Sequence, residues 1–482
     1  MSLRRCFSRI KSIPLLTKMD FKMSFPHAHW RIRKLCPLFC ALIILAWSAC
    51  SAFALEGDIR IHDPSTIIKC DGVYYVFGTG RGIPFLTSAD AFTWQRSGRV
   101  FDRVPDSVHS YVPKNNGMGV WAPEIIKLNG EYCLYYAISA WGQFVSAIGL
   151  ITTPTLDPKD PNYKWTDRGM IVHSVEGENL NAIDPGVIHA PDGTLWMSYG
   201  SYHGDIQLVQ LDPDSGLRIH AESRVWILAS HSEASDIVFH KDWYYLFVNH
   251  GSCCSGTNST YHICVGRSRH VTGPYLDHYG DDMADGGGTL FLAAAGRQFG
   301  PGQFGLLVDD GVEKFSCHYE ADLDRGGRPT LDIRPLLWTA DDWPSPGENV
   351  RDGTYQIRSR RTGLVLQSST TSSTDAVECA DYLMRDNQKW TVTTAGGGFY
   401  KIIGGTGGNA LRAANDSLAV APFAGADDQL WRIDQLGDGN YRIASKAGGL
   451  ALTASYELKP GNGVVPRIFT GDDAQGWVIT AP

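Results

Sequence analysis

The stretch His62-Asp63-Pro64-Ser65-Thr66-Ile67-Ile68, followed by Asp71-Gly72-Val73-Tyr74-Tyr75, decides how the chain is read. It returns with variations: as Ala122-Pro123-Glu124-Ile125-Ile126 before Gly130-Glu131-Tyr132-Cys133, and as Asp184-Pro185-Gly186-Val187-Ile188 before Gly193-Thr194-Leu195-Trp196. A fourth copy is Glu233-Ala234-Ser235-Asp236-Ile237-Val238 before Trp243-Tyr244-Tyr245, and a degenerate fifth is Gly305-Leu306-Leu307-Val308, Gly311 and Phe315-Ser316-Cys317-His318. Each copy reads as an apolar strand, a tight turn and a second strand. Spacings of about 50–70 residues suit the blades of a β-propeller. The chain is therefore expected to be all-β, with five blades over residues 55–343. Asp63, Asp184 and Glu233 stand at the same end of their blades, so radial repetition brings three carboxylates to one mouth of the central channel.

The segment before the first repeat has a different character. Arg31, Arg33 and Lys34 precede the apolar run Leu35–Trp47, and Ala52-Phe53-Ala54 closes it. A basic start, a short apolar run and A-x-A make a secretory signal peptide, so residues 1–54 are read as a leader and the mature protein as secreted, extracellular or periplasmic; Cys50 leaves a lipoprotein reading open, against which Trp47 stands where an aliphatic residue is expected. The run is too short and wrongly flanked for a membrane anchor, and no membrane partner is expected after cleavage. Met19 and Met23 are alternative initiators. The whole chain has 43 Lys and Arg against 51 Asp and Glu, and the leader takes nine of the bases and one of the acids. Residues 55–482 then carry 34 against 50, a net charge of −16, which repels polyanions and argues against nucleic acid as a partner. Seven of the 11 cysteines remain after the leader, an odd number that leaves at least one thiol free or intermolecular. Adjacent Cys253 and Cys254 are either a vicinal disulfide or two thiols in a loop.

Beyond Thr339–Asp352, where residues 344–352 are read as a linker, a shorter period begins. Gly353-x-Tyr355-x-Ile357 recurs at Gly398, Tyr400 and Ile402 and at Gly439, Tyr441 and Ile443. Gln388-Lys389-Trp390 recurs as Gln429-Leu430-Trp431 and Gln475-Gly476-Trp477. Threefold repetition predicts a three-lobed unit over residues 353–482. The Q-x-W triplets resemble the ricin-type β-trefoil of lectin B chains and family 13 carbohydrate-binding modules. In that fold the Trp packs in the core and the Gln bonds backbone. An aromatic stands six residues before each Gln, at Tyr382, Phe423 and Phe469. These rings either stack on sugars or pack within each lobe.

Cleaving a glycosidic bond takes one protonated carboxylic acid and one carboxylate, and a third acidic group nearby raises the acid's pKa. Three carboxylates at one channel mouth meet that need. An isolated Asp at a blade end would more simply cap a turn. At these residues the chain resembles glycoside hydrolase family 43, and within it the endo-α-1,5-L-arabinanases. The matching stretches are His62–Ser65, Val120–Ile125, Tyr135–Ser139, Asn181–Pro185, Tyr199–Tyr202, Ile206–Leu208, Tyr244–Val248 and Cys253–Tyr261 running into Val265–Ser268. The resemblance implies an inverting hydrolase acting on arabinan and other plant cell-wall polysaccharide. It assigns Asp63 as the general base, Glu233 as the general acid and Asp184 as the residue that tunes the acid. It implies sugar contacts from Gly142, Asn181, Ala182, Ile183, Ser201, Tyr202 and His203, with Trp121 either a stacking platform or a brace for its blade. It also implies a metal, usually calcium, held in the channel through His318.

Three positions depart from the family pattern. Ser235 follows Glu233-Ala234 where proline is common, and its loss is expected to loosen the turn. His203 replaces an aromatic Trp, and Gln303 replaces a histidine in Gly300-Pro301-Gly302-Gln303. Two other readings remain: an exo-acting arabinofuranosidase or β-xylosidase of the same family, and a non-catalytic carbohydrate-binding protein on a decayed propeller. The three intact carboxylates argue against decay, and the Cys253–Tyr261 loop argues for the arabinanases.

Overall fold

The computed structural model describes residues 55–117, 119–220, 224–368, 376–405, 407–414, 417–455 and 462–482. The leader, residues 1–54, lies outside the described residues. No helix among the described residues is long and apolar enough to cross a membrane.

Five sheets follow one another as blades. Blade 1 runs outward through Ile68–Cys70, Val73–Phe77, Pro84–Ser88 and Thr93–Arg99, and Glu56–Gly57 adds a parallel strand at its outer edge. Blades 2 to 5 start at the channel with Val120–Leu128, Gly186–His189, Glu233–His240 and Gln298–Asp309. Their outermost strands are Thr166–His173, Trp226–Ala229, Thr289–Leu292 and Pro344–Pro346.

The second strand of each blade explains the apolar runs in the sequence. A strand covered on both faces reads as continuously hydrophobic rather than alternating. In Glu131–Ile138, Leu134 and Tyr136 pack with Phe77 and Phe85 of blade 1, while Tyr135 and Ala137 pack with Met197 and Tyr199 of blade 3. In Trp243–His250, Leu246 and Val248 face blade 3 while Tyr245 and Phe247 face Phe304 and Phe315 of blade 5. The ring closes where Val76 and Leu86 meet Leu307 and Leu331. There the Leu331 N–H donates to the Ile59 carbonyl at 2.8 Å, and Arg60 bridges to Thr330. Each blade thus buries two faces only because it has two neighbours.

Residues 353–482 form a separate twelve-stranded unit with its own core, into which Trp390, Trp431 and Trp477 are fully buried. Their indole N–H groups donate to the carbonyls of Leu366, Leu411 and Leu452, each at 2.9 Å. The side chains of Gln388, Gln429 and Gln475 each take a backbone N–H, from Leu383, Ala424 and Thr470, and donate to a carbonyl, of Asp381, Pro422 and Ile468. The Q-x-W repeat is therefore scaffold, as its resemblance implied. The three aromatics lie outside this core: Tyr382 and Phe469 are half-buried and Phe423 is exposed. Arg358, Lys401 and Arg442 stand over their rings at 5.9, 5.4 and 5.0 Å.

The stretch read as a linker is packed. Pro344–Pro346 pairs with Leu336–Trp338 as the outer strand of blade 5, and Val350 already lies in the trefoil core. The two units meet through buried charges. Lys314 Nζ lies 2.8 Å from Asp434 Oδ1, Arg442 Nη2 lies 2.7 Å from Asp434 Oδ2, and Arg432 reaches both Asp434 and Asp309. Asp309 also accepts from the Tyr74 hydroxyl of blade 1.

Candidate active site

Every blade has a left-handed residue at or near its inner strand: Asp63 (φ 46°) and Asp184 (54°) ahead of it, Ala122 (37°) and Ala234 (55°) near its start, and Gln303 (57°) midway along, at an irregularity in the pairing. None is glycine, so each corner carries strain of about 1–3 kcal/mol that the surrounding sheet must hold. Asp63 and Asp184 occupy this corner, whereas Glu233 comes one residue before it. The acid candidate is therefore displaced by one position from the two aspartates in the repeat.

Asp63, Asp184 and Glu233 line one cavity of about 600 Å³. Asp63 is held from three sides. The Thr79 hydroxyl donates to Oδ2 at 2.6 Å, His62 Nδ1 lies 2.8 Å from the same oxygen, and the Asp63 N–H donates to His318 Nδ1 at 3.2 Å. Burial alone would raise the Asp63 pKa, but His62, His318 and Thr79 carry it below the ordinary value. His62 also stands 3.3 Å from Glu320 Oε1. Burial opposes a charge on that ring, yet the carboxylates on either side hold its pKa well above the ordinary histidine value. Glu233 is pushed up to about 7, first by burial and then by the charges of Asp63 and Glu320, while the Tyr261 hydroxyl donates to its Oε1 at 2.6 Å and opposes the shift. Asp184 accepts the Ala234 N–H at 3.2 Å and is raised well above the usual carboxylate range by burial and by Glu233 and Asp63. The surroundings thus favour the ionised form of Asp63 and the protonated forms of Glu233 and Asp184. Pairs whose environments drive their pKa values apart are the mark of acid–base division of labour.

The remaining expected contacts divide. Trp121, Gly142, Asn181, Ile183, Ser201, Tyr202 and His203 line the cavity. Ala182 does not: it is fully buried in the core between blades 2 and 3. His318 is likewise fully buried and lies outside the lining, behind Asp63. The histidine at 203 does not leave the wall without an aromatic surface. Its ring stacks on Phe144 at 3.9 Å and 14°, and its Nε2 is 3.0 Å from the Glu178 carbonyl oxygen. Trp141, 78% exposed, stands edge-on to Trp121 at 6.1 Å. The turn after Glu233 is held without proline, because the Ser235 hydroxyl bonds Ser198 Oγ at 2.9 Å. Gln303 lies outside the cavity lining, its N–H donating to Asn249 Oδ1 at 3.1 Å. Cys253 and Cys254 are joined as a vicinal disulfide at the cavity edge, and the other described cysteines, 70, 133, 264, 317 and 379, are free and buried.

Sequence reasoning missed His62, Thr79, Tyr261 and Glu320. His62 adjoins Asp63 and Glu320 follows His318 by two, so both had a local signal. Tyr261 closes the matching stretch Cys253–Tyr261, but nothing there aimed it at Glu233, and Thr79 lies outside every matching stretch. Sequence reasoning also passed over Glu124 and Asp236, a buried pair outside the cavity lining. Glu124 accepts the Thr66 N–H at 2.9 Å and is pushed up to about 7 by burial, and Asp236 is raised by burial and by Glu124.

His62, His318 and Glu320 bring potential ligand atoms within 4.8 Å of one another. His318 Nε2 is buried with no hydrogen-bond partner, and Glu320 supplies a carboxylate oxygen, so the donor types fit a cation in the channel. Ligation through Nε2 requires the ring proton on Nδ1, where the Asp63 N–H contact would give way.

The description Glycosyl hydrolases family 43 matches residues 58–344. The chain belongs to this family. The description Ricin-type beta-trefoil lectin domain-like matches residues 337–417 and 386–468, so the family 43 propeller is followed by a lectin-type trefoil. Over 342 residues the chain is 36% identical to an extracellular exo-alpha-(1->5)-L-arabinofuranosidase of Cellvibrio japonicus, covering 67% of this chain and 95% of that one. It is 35% identical over 305 residues to an extracellular endo-alpha-(1->5)-L-arabinanase of Bacillus subtilis, covering 61% and 90%. Among solved structures, an exo-1,5-alpha-L-arabinanase from a bovine ruminal metagenomic library superposes with a TM-score of 0.57 at 38% identity, over 60% of this chain and 97% of that one. The family 43 relatives thus include both endo- and exo-acting enzymes.

Proposed function

We propose that this protein is an exported hydrolase of α-1,5-L-arabinofuranosidic bonds in arabinan, acting within the chain and inverting the anomeric centre. The observation that carries the reading is the convergence of Asp63, Asp184 and Glu233 on one cavity in unlike surroundings: Asp63 is bonded by Thr79 and paired with His62, which favours its charge, while burial pushes Glu233, bonded by Tyr261, up to about 7. Asp63, fixed by Thr79 and His62, takes the proton of an attacking water. Glu233, steadied by Tyr261, gives its proton to the departing sugar oxygen. Asp184 lies against the Ala234 amide beside the acid, and the charge of Glu233 helps to keep its proton on, so the two carboxyls disfavour ionising together. Trp121 and Trp141 offer apolar faces to the arabinose rings. A calcium ion would be held by His318 and Glu320 with waters completing an oxygen-rich shell, and would supply positive charge behind the base.

Internal cleavage is supported by a second cavity of about 720 Å³ that shares Gly142, Gln143, Phe144 and His203 with the first, leaving room for chain beyond the scissile bond. The secretory leader and the extracellular relatives support export. The trefoil supports retention on cell-wall polysaccharide.

The test is digestion of linear, debranched and branched arabinan with products sized over time. Internal cleavage releases a ladder of oligomers early. Release of a single small product throughout means exo action, and no release from any arabinan overturns the substrate. Deleting the trefoil is expected to abolish retention on insoluble wall material, and equal retention of both forms removes its binding role.

A further inference from the structure

We propose that His250, His262 and Cys264 form a site for a thiophilic transition-metal ion, of which zinc(II) is the best match. None of the three lines the active-site cavity, although Tyr261 lines both that cavity and theirs.

The sheet register builds it. His250 ends the second strand of blade 4 and His262 begins the third, His262–Ser268, and the two are direct cross-strand partners. Side chains two apart on a strand share a face, so Cys264 stands on the same face as His262. The three potential ligand atoms lie within 4.8 Å of one another.

Each donor is prepared. His262 Nδ1 lies 2.9 Å from the Thr260 carbonyl oxygen, so that nitrogen carries the proton and leaves Nε2 with its lone pair. A carbonyl that fixes the tautomer in this way is the usual outer partner of a metal-binding histidine. His250 Nε2 is buried and has no hydrogen-bond partner. Cys264 is a free, buried thiol.

There is also room for an ion. The three residues line a cavity of about 520 Å³ with Gly286, Gly288 and Leu290. A Cβ at position 288 would come within 3.1 Å of Cys264 Cβ, 3.6 Å of His250 Cε1 and 3.9 Å of Cys264 Sγ. Glycine there keeps the face above the thiol and the imidazole open.

The donor set decides the metal. Two imidazole nitrogens and one sulfur, with no carboxylate, select zinc(II) and its neighbours over calcium or magnesium, which take oxygen. Three protein ligands leave a fourth position for water. On binding, the Cys264 S–H bond is exchanged for a sulfur–metal bond and the proton passes to solvent, so one proton is released per ion and no redox partner is needed. The site adjoins the catalytic wall, because Tyr261, which donates to Glu233, immediately precedes His262. A bound ion would pin the start of the strand that presents that hydroxyl.

The experiment uses the full chain in calcium-containing buffer and reads metal rather than activity. Cobalt(II) is titrated in and the thiolate-to-cobalt charge-transfer absorption followed, then zinc(II) is added to displace it, with stoichiometry from equilibrium dialysis. We expect one equivalent, a charge-transfer band that zinc abolishes, loss of that band in Cys264→Ser, and an affinity lower by roughly tenfold or more in His262→Gln. Cys317→Ser, at another buried thiol, should leave all of this unchanged. Should Cys264→Ser not fold, His250→Asn serves in its place and should weaken binding to the same degree. No binding, binding without the thiolate band, or binding indifferent to these variants overturns the site. None of these outcomes depends on whether arabinan is the substrate.

Discussion

Removing one hydroxyl, in Tyr261→Phe, tests how the acid is set. The phenol is buried, and its own pKa is raised well above the ordinary value, so it remains a donor throughout the working range. It reaches Glu233 Oε1 at 2.6 Å and favours the ionised acid, while burial and the charges of Asp63 and Glu320 disfavour it. A hydrogen bond to a charged group contributes about 1.5–3 kcal/mol. One pKa unit corresponds to about 1.4 kcal/mol, and the neutral acid keeps part of the same bond, so the net change is about one unit. The sign is upward: without its donor, Glu233 holds its proton to higher pH. The assay is kcat/KM against pH on a short α-1,5-arabino-oligosaccharide, with no transition metal added and the fold checked by thermal melting. The alkaline limb, which reports the acid, should move from near pH 7 upward by about one unit. The acidic limb, reporting Asp63 below its ordinary 3.8, should stay in place. Phenylalanine fills almost the same volume, so a packing defect cannot imitate the shift. An alkaline limb that stays put or moves toward acid, with activity retained, would refute the role given to the Tyr261–Glu233 bond.

Glu233→Gln and Asp63→Asn should each cut hydrolysis of linear arabinan by about 10²–10⁴-fold, and more than half of the wild-type rate in either variant would remove that residue from its role. Asp184→Asn removes a carboxyl that is coupled to Glu233; to the extent that Asp184 carries charge as Glu233 titrates, the alkaline limb should shift toward acid, and an unmoved limb with activity retained would leave Asp184 as scaffold. Asp434→Ala leaves Lys314 and Arg442 buried without their carboxylate and should lower stability by about 3–5 kcal/mol in denaturant melts, whereas a loss under about 1 kcal/mol would mean the cluster is not sealed from water. Burial raises the Asp434 pKa, but Lys314, Arg432 and Arg442 carry it far below 3.8. Its stabilisation should therefore be complete above about pH 4 and fade as acid titrates the folded carboxyl, a fading the variant should lack.

The blades and the convergence of three carboxylates on one cavity were legible because both follow from repetition. A strand buried between two neighbours must be apolar at every position, and Tyr132–Ile138 and Tyr244–Val248 show that pattern without any three-dimensional knowledge. A repeat also places equivalent residues at equivalent sites, which brought Asp63 and Asp184 together. It could not show that Glu233 lies one position before the left-handed corner that those two aspartates occupy. Nor could it show that Thr79, or Tyr261 at the end of the matching stretch Cys253–Tyr261, bonds a carboxylate, because both reach the cavity from positions where no period operates. Ala182 went astray for the opposite reason: it sits in a matching stretch, between Asn181 and Ile183, but its own side chain turns into the core. The exchange of Trp for His203 could not be weighed from the residue alone, because its stacking partner Phe144 lies on a different loop.

The boundary between the two units was read least well, and the cause is chemical. Prolines and charges in Thr339–Asp352 have the composition of an exposed tether, yet Pro344–Pro346 completes blade 5 and Val350 enters the trefoil core. Lys314, Asp309, Asp434 and Arg442 are residue types that belong at the surface when taken singly, because burying an unpaired charge costs several kcal/mol. Their burial is possible only because each is paired, Arg442 with Asp434 eight residues away, but Lys314 with Asp434 across 120 residues and Asp309 with Arg432 across 123. No local pattern announces such a pair. The consequence bears on how the enzyme would meet a polymer. A flexible linker lets a binding module sample a volume set by linker length, whereas a fixed joint limits it to one reach and one direction. Here the joint is a sealed ionic cluster continued by a paired strand. Wall polysaccharide held by the trefoil would therefore be presented to the Asp63–Glu233 cavity at a set orientation, and the geometry of that joint becomes part of which bonds in the polymer the enzyme can reach.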